Sequence, residues 1–135
     1  YPVAVKYSED LHSIGQFVQE GTPVLFETFL DIENPDEELI LEADDVDDGF
    51  DYLNGADLRE VNRAAFSATF QAHSERLPCV RLKISELNEY SFGQLFYFFE
   101  FACYLSGSML GVNPFNQPGV ENYKGYMFQA LGKHK

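Results

Sequence analysis

The chain has 135 residues, about the size of one domain, and 45% of them are hydrophobic, which supplies a core and excludes a disordered chain. Its 22 acidic residues outnumber the 9 basic ones, and the net charge of −13 repels phosphate backbones and argues against a nucleic-acid-binding protein. The two cysteines lack metal-binding spacing, and neither a signal-peptide pattern nor a membrane-spanning stretch is present, so we expect a cytoplasmic protein with reduced thiols.

The first predicted elements are an extended segment and a helix. Residues 1–7 alternate in part, which favours a short strand or an extended lead-in. The following apolar residues recur at helical spacing and predict a helix from Asp10, as its N-cap, to about Glu20. This helix would carry a polar stripe at i, i+4 and i+7, formed by His12, Gln16 and Gln19. Because the first residue is a tyrosine rather than a methionine, we also expect a piece of a longer protein.

A strand and an acidic loop follow. Residues 23–32 alternate between two faces and predict a strand, and residues 39–41 predict a short second strand. Residues 42–55 are acidic and rich in turn formers, which raises the alternative of a calcium loop. Their spacing does not match the EF-hand pattern, so we expect a solvated loop.

The middle of the chain predicts a helix and another strand. Asp57 and Glu60 stand in capping-box register at the start of a helix that ends near Arg76. Its predicted packing stripe consists of small and aliphatic residues, namely Leu58, Val61, Ala65, Ala68 and Ala72. We expect His73, near the helix C-terminus, to be a surface or capping histidine. Residues 79–84 alternate and predict the next strand.

The last third of the chain predicts two helices. Ser91 and Gln94 open a helix whose residues 95–105 are apolar almost all round, so we expect it to be buried on most sides. A final helix begins near Pro118 and covers about 117–131.

The order of these elements predicts the fold class. Strand, helix, strand, helix indicates an α/β fold with a right-handed parallel crossover, two or three strands and about four helices. Two parallel strands cannot cover both of their faces or satisfy their edges alone, so we expect the architecture of this segment to be incomplete.

The final helix carries the pattern with the most chemical content. Gln117, Glu121 and Lys124 fall at i, i+4 and i+7 and would share one face. From spacing alone, a lysine beside an acid is an ordinary solvated ion pair. Spacing therefore leaves both a surface pair and a functional lysine open.

Two motifs together resemble those of the glucose-6-phosphate isomerase family. Gly107-Ser108-Met109-Leu110, followed by Phe115-Asn116-Gln117-Pro118-Gly119-Val120-Glu121 and Lys124, is similar to the family's C-terminal signature. Asp10-Leu11-His12-Ser13-Ile14-Gly15-Gln16, with Gln19-Glu20-Gly21, resembles the segment in which bacterial members carry an active-site histidine. The resemblance covers essentially the whole chain. It implies that residues 1–135 are the C-terminal segment of a sugar-isomerase (SIS) type, three-layer α/β domain.

The resemblance also implies roles for three residues. Lys124 is similar to the lysine that contacts the sugar ring oxygen and hydroxyls and assists ring opening, and Gln117 is similar to a glutamine near the phosphate and hydroxyls. His12 is similar to the histidine that exchanges a proton with the ring oxygen or the anomeric hydroxyl, and that serves the neighbouring subunit's site in a homodimer. Asn116 stands where many members have Asp, which removes a charge and keeps a capping side chain.

The implied activity is the reversible isomerisation of glucose 6-phosphate and fructose 6-phosphate through a cis-enediol, without a metal or an organic cofactor. A histidine that titrates near neutrality suits the ring-opening proton transfer, and an ammonium suits charge developing on oxygen. The family's base glutamate and phosphate loop lie upstream of the position matching His12, so this chain alone is expected to be inactive. The alternatives are a non-catalytic phosphosugar-binding module and a purely structural C-terminal fragment.

Overall fold

A computed structural model describes residues 2–35 and 37–133, which form two compact units, Tyr1–Leu87 and Asn88–Lys135. The elements of the first unit are α1 (Tyr7–Asp10), a π-helical turn (Leu11–Gly15), α2 (Gln16–Glu20), β1 (Glu27–Asn34), a 3-10 turn (Asp51–Leu53), α3 (Leu58–Ser74) and β2 (Cys79–Glu86). Those of the second are α4 (Glu89–Met109) and α5 (Pro118–Ala130). We call α1, the π-helical turn and α2 together the N-terminal helix. With this helix counted once, the described residues contain four long helical segments and two strands, as predicted.

The N-terminal helix begins four residues earlier than predicted. Lys6 is its N-cap residue, and Asp10, which was expected to cap the helix, instead accepts a hydrogen bond of 3.0 Å from the backbone N–H of Lys6. Residues 2–6 form no strand, and Tyr1 lies outside the described residues. The helix stops at Gly21, where a Cβ atom would lie only 2.4 Å from the carbonyl oxygen of Phe17. Glycine is therefore required at this turn.

The two strands pair in parallel, which confirms the predicted arrangement. The register runs from Glu27 opposite Cys79 to Asn34 opposite Glu86. β1 starts four residues later than predicted because its partner strand begins only at Cys79, so the residues before Glu27 have no ladder to join. The short second strand predicted at 39–41 is reduced to an isolated antiparallel bridge between Ile40 and Asp57.

The core of the first unit lies between the sheet and α3. Phe29 is buried, and its ring meets those of Phe66 and Phe70 edge-on, with centroids 5.7 and 5.2 Å away. The prediction that α3 packs on the sheet through its small residues is wrong, since Ala65, Ala68 and Ala72 are exposed. The face that carries the large aromatic rings packs on the sheet because it buries far more apolar area than alanine can. Asp57 caps α3 as predicted, accepting from the backbone N–H of Arg59 at 2.9 Å.

In the second unit, α4 starts two residues before the predicted capping residue. Asn88 is the N-cap, and its side chain accepts from the backbone N–H of Ser91 at 2.8 Å, while Ser91 itself is buried. The prediction that α4 is buried on most sides is wrong for this chain, because Phe96 and Tyr97 are 59% and 65% exposed. α5 spans Pro118–Ala130, within a residue of its prediction. None of the helices in the described part of the chain combines the length and the apolar character that a membrane span requires.

Candidate functional site

His12 is exposed on the π-helical turn of the N-terminal helix. A π-helical turn closes i→i+5 hydrogen bonds, so four residues no longer bring a side chain back to the same face. The predicted polar stripe is therefore broken. Gln16 and Gln19 line a cavity of about 280 Å³ between this helix and α3, and His12 is not among its lining residues. Among the described residues, the His12 side chain has no hydrogen-bonding partner and is accessible to a ligand.

Beneath the start of the same helix lies a buried polar cluster that the sequence did not reveal. His73 was predicted to be a surface or capping histidine, but it is only 2% exposed, so that prediction is wrong. Its Nδ1 atom lies 2.8 Å from Oε2 of Glu27, and the hydroxyl of Tyr7 donates to Oε1 of the same carboxylate. Since a carboxylate only accepts, the proton of the first bond belongs to Nδ1 of His73.

Aromatic contacts and burial reinforce this cluster. The Tyr7 ring meets the His73 ring edge-on at 4.9 Å and stacks on Phe29 at 5.9 Å. Burial, followed by the hydrogen bond to Glu27, raises the pKa of Tyr7 well above its usual value. Burial also raises the pKa of Cys79, whose Sγ lies 3.9 Å from Oε2 of Glu27. The cluster thus joins α1, β1, α3 and β2 through one carboxylate.

Gln117 and Lys124 are carried by α5 in the second unit. Gln117 is the N-cap residue of the helix, but its side chain makes no capping hydrogen bond. The Nζ atom of Lys124 lies 2.7 Å from Oε1 of Glu121, one turn earlier, and both side chains are exposed. In this structure Lys124 is a solvated member of an i, i+3 ion pair, which contributes only a few tenths of a kcal/mol to helix stability.

The loop before α5 folds back on the end of α4. Gly107 is buried, and a Cβ atom at this position would lie 3.2 Å from Cβ of Pro114. The rings of Tyr104 and Phe115 lie 5.6 Å apart, and Gly111 adopts a φ of 71°, which favours glycine. The glycine and the aromatic residue of the C-terminal signature therefore shape the turn that leads into α5.

The described residues offer little else in the way of a ligand site. No group of three or more His, Cys, Asp or Glu side chains in them could hold a metal ion. The acidic loop contains two local turns, in which Asp44 and Asp48 accept from the backbone N–H groups of Val46 and Phe50 at 2.9 Å each. These bonds are those of ordinary Asx turns.

Comparison with known proteins gives a consistent picture. Glucose-6-phosphate isomerases from Clostridium tetani, Staphylococcus haemolyticus and Bacillus cytotoxicus are 47%, 51% and 52% identical to this chain over 98% of its length. The chain is related to glucose-6-phosphate isomerases. This confirms the resemblance inferred from the two motifs. The chain spans only about 30% of the length of these relatives.

The fold has a solved counterpart. A crystal structure of a hypothetical protein from Thermus thermophilus superposes with a TM-score of 0.83 and 27% identity, covering 91% of this chain and 30% of that one. The match confirms the mixed α/β fold class. No protein-family profile matches the chain.

Proposed function

We propose that this chain supplies His12, Gln117 and Lys124 to the active site of a glucose-6-phosphate isomerase. The enzyme would interconvert glucose 6-phosphate and fructose 6-phosphate in the cytoplasm as an intramolecular oxidoreductase of glycolysis and gluconeogenesis. The observation that carries the proposal is the identity of about 50%, over nearly the whole chain, to relatives named glucose-6-phosphate isomerase. The presence of both family motifs in one chain supports it, as does the exposure of the three side chains.

The proposed roles follow from the chemistry of the side chains. Ring opening requires a proton to move between the ring oxygen and the anomeric hydroxyl, and the exposed imidazole of His12 can accept and donate that proton. The ammonium of Lys124 stabilises negative charge that develops on the substrate oxygens. The amide of Gln117, which is not used as a helix cap, is available to the phosphate or the hydroxyls. None of these roles needs a metal or an organic cofactor.

The pairing of Lys124 with Glu121 is compatible with this role. An exposed ion pair has a net free energy near zero to 1 kcal/mol, so a substrate oxygen can replace the carboxylate at little cost.

The complete site extends beyond this chain in the proposal. The base glutamate and the phosphate loop are assigned to positions upstream of His12, and His12 is assigned to the neighbouring subunit's site of a homodimer with the SIS-type three-layer fold. We therefore expect the isolated 135-residue chain to show no turnover.

A chimera tests the proposal directly. This chain would replace the matched segment of the relative from Bacillus cytotoxicus, and isomerisation would be followed in a coupled assay. We expect activity within tenfold of the parent enzyme. His12→Ala should lower kcat by about 10²–10⁴-fold, and Lys124→Ala by about 10²–10³-fold, since these are typical losses for a proton-transfer group and a charge-stabilising group. Gln117→Ala should mainly raise KM.

Lys83→Ala is the matched control. Lys83 is an exposed lysine on β2 that pairs with Glu33, so its loss removes the same charge away from the proposed site. A folded chimera that binds fructose 6-phosphate without converting it would contradict the proposal and favour a phosphosugar-binding module. Full activity in both the His12 and Lys124 variants would contradict the assigned roles.

A further inference from the structure

The N-terminal helix has few polar attachments to the rest of the first unit. Among the described residues, Tyr7 makes the one side-chain hydrogen bond that joins residues 7–20 to the sheet, and its acceptor is Glu27. A longer bond of 3.4 Å from Arg76 reaches the carbonyl oxygen of Gly21, just beyond the far end of the helix. The polar fixation of the helix is therefore concentrated at Tyr7.

The middle of this helix is separated from α3 by open space, although Val18 near its end is buried. The cavity of about 280 Å³ between them opens to solvent and is lined in part by residues with little or no side chain, Gly15, Ala68 and Ala72. The Nε2 atom of Gln19, which also lines this cavity, is buried without a hydrogen-bonding partner among the described residues. A helix beside an incompletely filled space depends on its specific contacts for its orientation.

Glu27, which accepts the hydrogen bond from the Tyr7 hydroxyl, is itself held in place. Glu27 is the first residue of β1, and His73 bonds its second oxygen from α3 at 2.8 Å. The side chains of His73 and Glu27 are only 2% and 14% exposed, so water cannot readily replace either partner. The carboxylate is thereby fixed between the sheet and α3, and it presents one oxygen to the helix.

We propose that Tyr7, Glu27 and His73 are positioning residues that fix the orientation of the N-terminal helix and thereby the place at which His12 is presented. This inference rests on the proposed isomerase function. His12 lies five residues after Tyr7, roughly 7.5 Å along a helix, so a tilt at Tyr7 moves the imidazole. Proton transfer needs a heavy-atom separation of about 2.6–3.2 Å, and a displacement of about 1 Å lowers the rate by on the order of 100-fold.

Tyr7→Phe in the active chimera is the most conservative test, because it keeps the ring contacts and removes only the hydroxyl. We expect kcat to fall by about 10–100-fold while KM stays within about twofold. Tyr52→Phe is the matched control, since Tyr52 is 77% exposed and lies in the 3-10 turn. Glu27→Gln, which keeps an acceptor for the tyrosine, should be less harmful than Glu27→Ala.

A double-mutant cycle separates positioning from a general loss of structure. When His12 is already alanine, Tyr7→Phe should lower the residual activity by less than about twofold, because there is no imidazole left to misplace. Losses that multiply in the double variant would show that Tyr7 acts through the fold rather than through His12, and would overturn the inference. Equal kcat in Tyr7→Phe and the parent chimera would overturn it while leaving the proposed function intact.

Hydrogen exchange on the 135-residue chain gives a second readout that does not depend on activity. In Tyr7→Phe we expect the amides of residues 10–20 to exchange about tenfold faster, while those of α3 are unchanged. Unchanged protection of the N-terminal helix would overturn the inference. An inactive parent chimera would instead overturn the proposed function and, with it, the catalytic meaning of this network.

Discussion

Phe29 offers the sharpest test of the packing that supports the His12 side of the site. Its ring is buried and lies against the rings of Tyr7, Phe66, Phe70 and His73, with centroid distances between 5.2 and 6.0 Å. Phe29→Ala removes all four contacts and leaves a cavity between the sheet and α3. Core substitutions of this kind cost about 3–5 kcal/mol of unfolding free energy. Since whole domains have only about 5–15 kcal/mol, most of the stability of this unit would be lost.

Leu30→Ala is the matched control on the same strand. Leu30 is the next residue, points to the opposite face of the sheet and is 46% exposed. Since burying a leucine fully is worth about 1.5–3 kcal/mol, losing a half-exposed one should cost about 1 kcal/mol. The difference between the two variants is therefore about 2–4 kcal/mol.

The assay must report the first unit alone. Pulsed hydrogen exchange across a urea series, read on peptides from residues 58–74, measures the unfolding of α3. With a urea dependence of about 1–3 kcal/mol per M, the midpoint of Phe29→Ala should lie at least about 0.7 M below that of Leu30→Ala. Equal midpoints for the two variants would refute the view that the core lies on the Phe29 face.

Three further outcomes are expected. Because folding raises the pKa of Tyr7, the native chain keeps a proton above pH 10 that the unfolded chain has lost. The free energy of unfolding should therefore fall as the pH rises, by less than about 1.4 kcal/mol per pH unit because the ring is partly exposed. Tyr7→Phe should remove this slope in urea titrations at alkaline pH. Gly21→Ala should lower the free energy of unfolding by about 1–3 kcal/mol, because the added Cβ would clash with the carbonyl oxygen of Phe17. Gly93→Ala should raise it by about 0.5–1 kcal/mol in the same denaturation assay, because Gly93 lies inside α4 and nothing lies near the added Cβ. Leu30→Ala should lower the free energy of unfolding by more in the chimera than in the 135-residue chain if the additional sequence covers the second face of the sheet.

Local periodicity predicted the helices and strands of this chain well. It failed to predict which face is buried where an element has two apolar faces. Alternation identified both strands, and capping chemistry identified Asp57 at the start of α3. Alternation cannot say which face of a strand is buried, and both faces of residues 23–32 carry large apolar side chains. The α3 stripe was misjudged for the same reason, since Phe66 and Phe70 define a second apolar face beside the alanines.

His73 shows why local sequence reasoning missed the buried cluster. Its position near a helix C-terminus favours a solvated, partly charged imidazole, and nothing local contradicts that interpretation. The decisive partner, Glu27, is 46 residues away and reaches His73 only because β1 packs beneath the last turns of α3. A signal was nevertheless present. His73 is seven residues after Phe66, on the same helix face, and Glu27 alternates onto the same strand face as Phe29.

The two halves of the proposed site are built by different physical means. Lys124 and Gln117 depend on local sequence, because the glycine and proline residues of the signature shape the turn and the start of α5. His12 depends on long-range contacts, because its π-helical turn belongs to a helix that is fixed by a tyrosine, a carboxylate and a histidine from three elements. Substitutions near α5 should therefore act mainly through direct contacts with the substrate. Substitutions in the core of the first unit should act on His12 at a distance. A substitution that weakens the packing of Phe29 should therefore lower kcat in the chimera even when the first unit still folds.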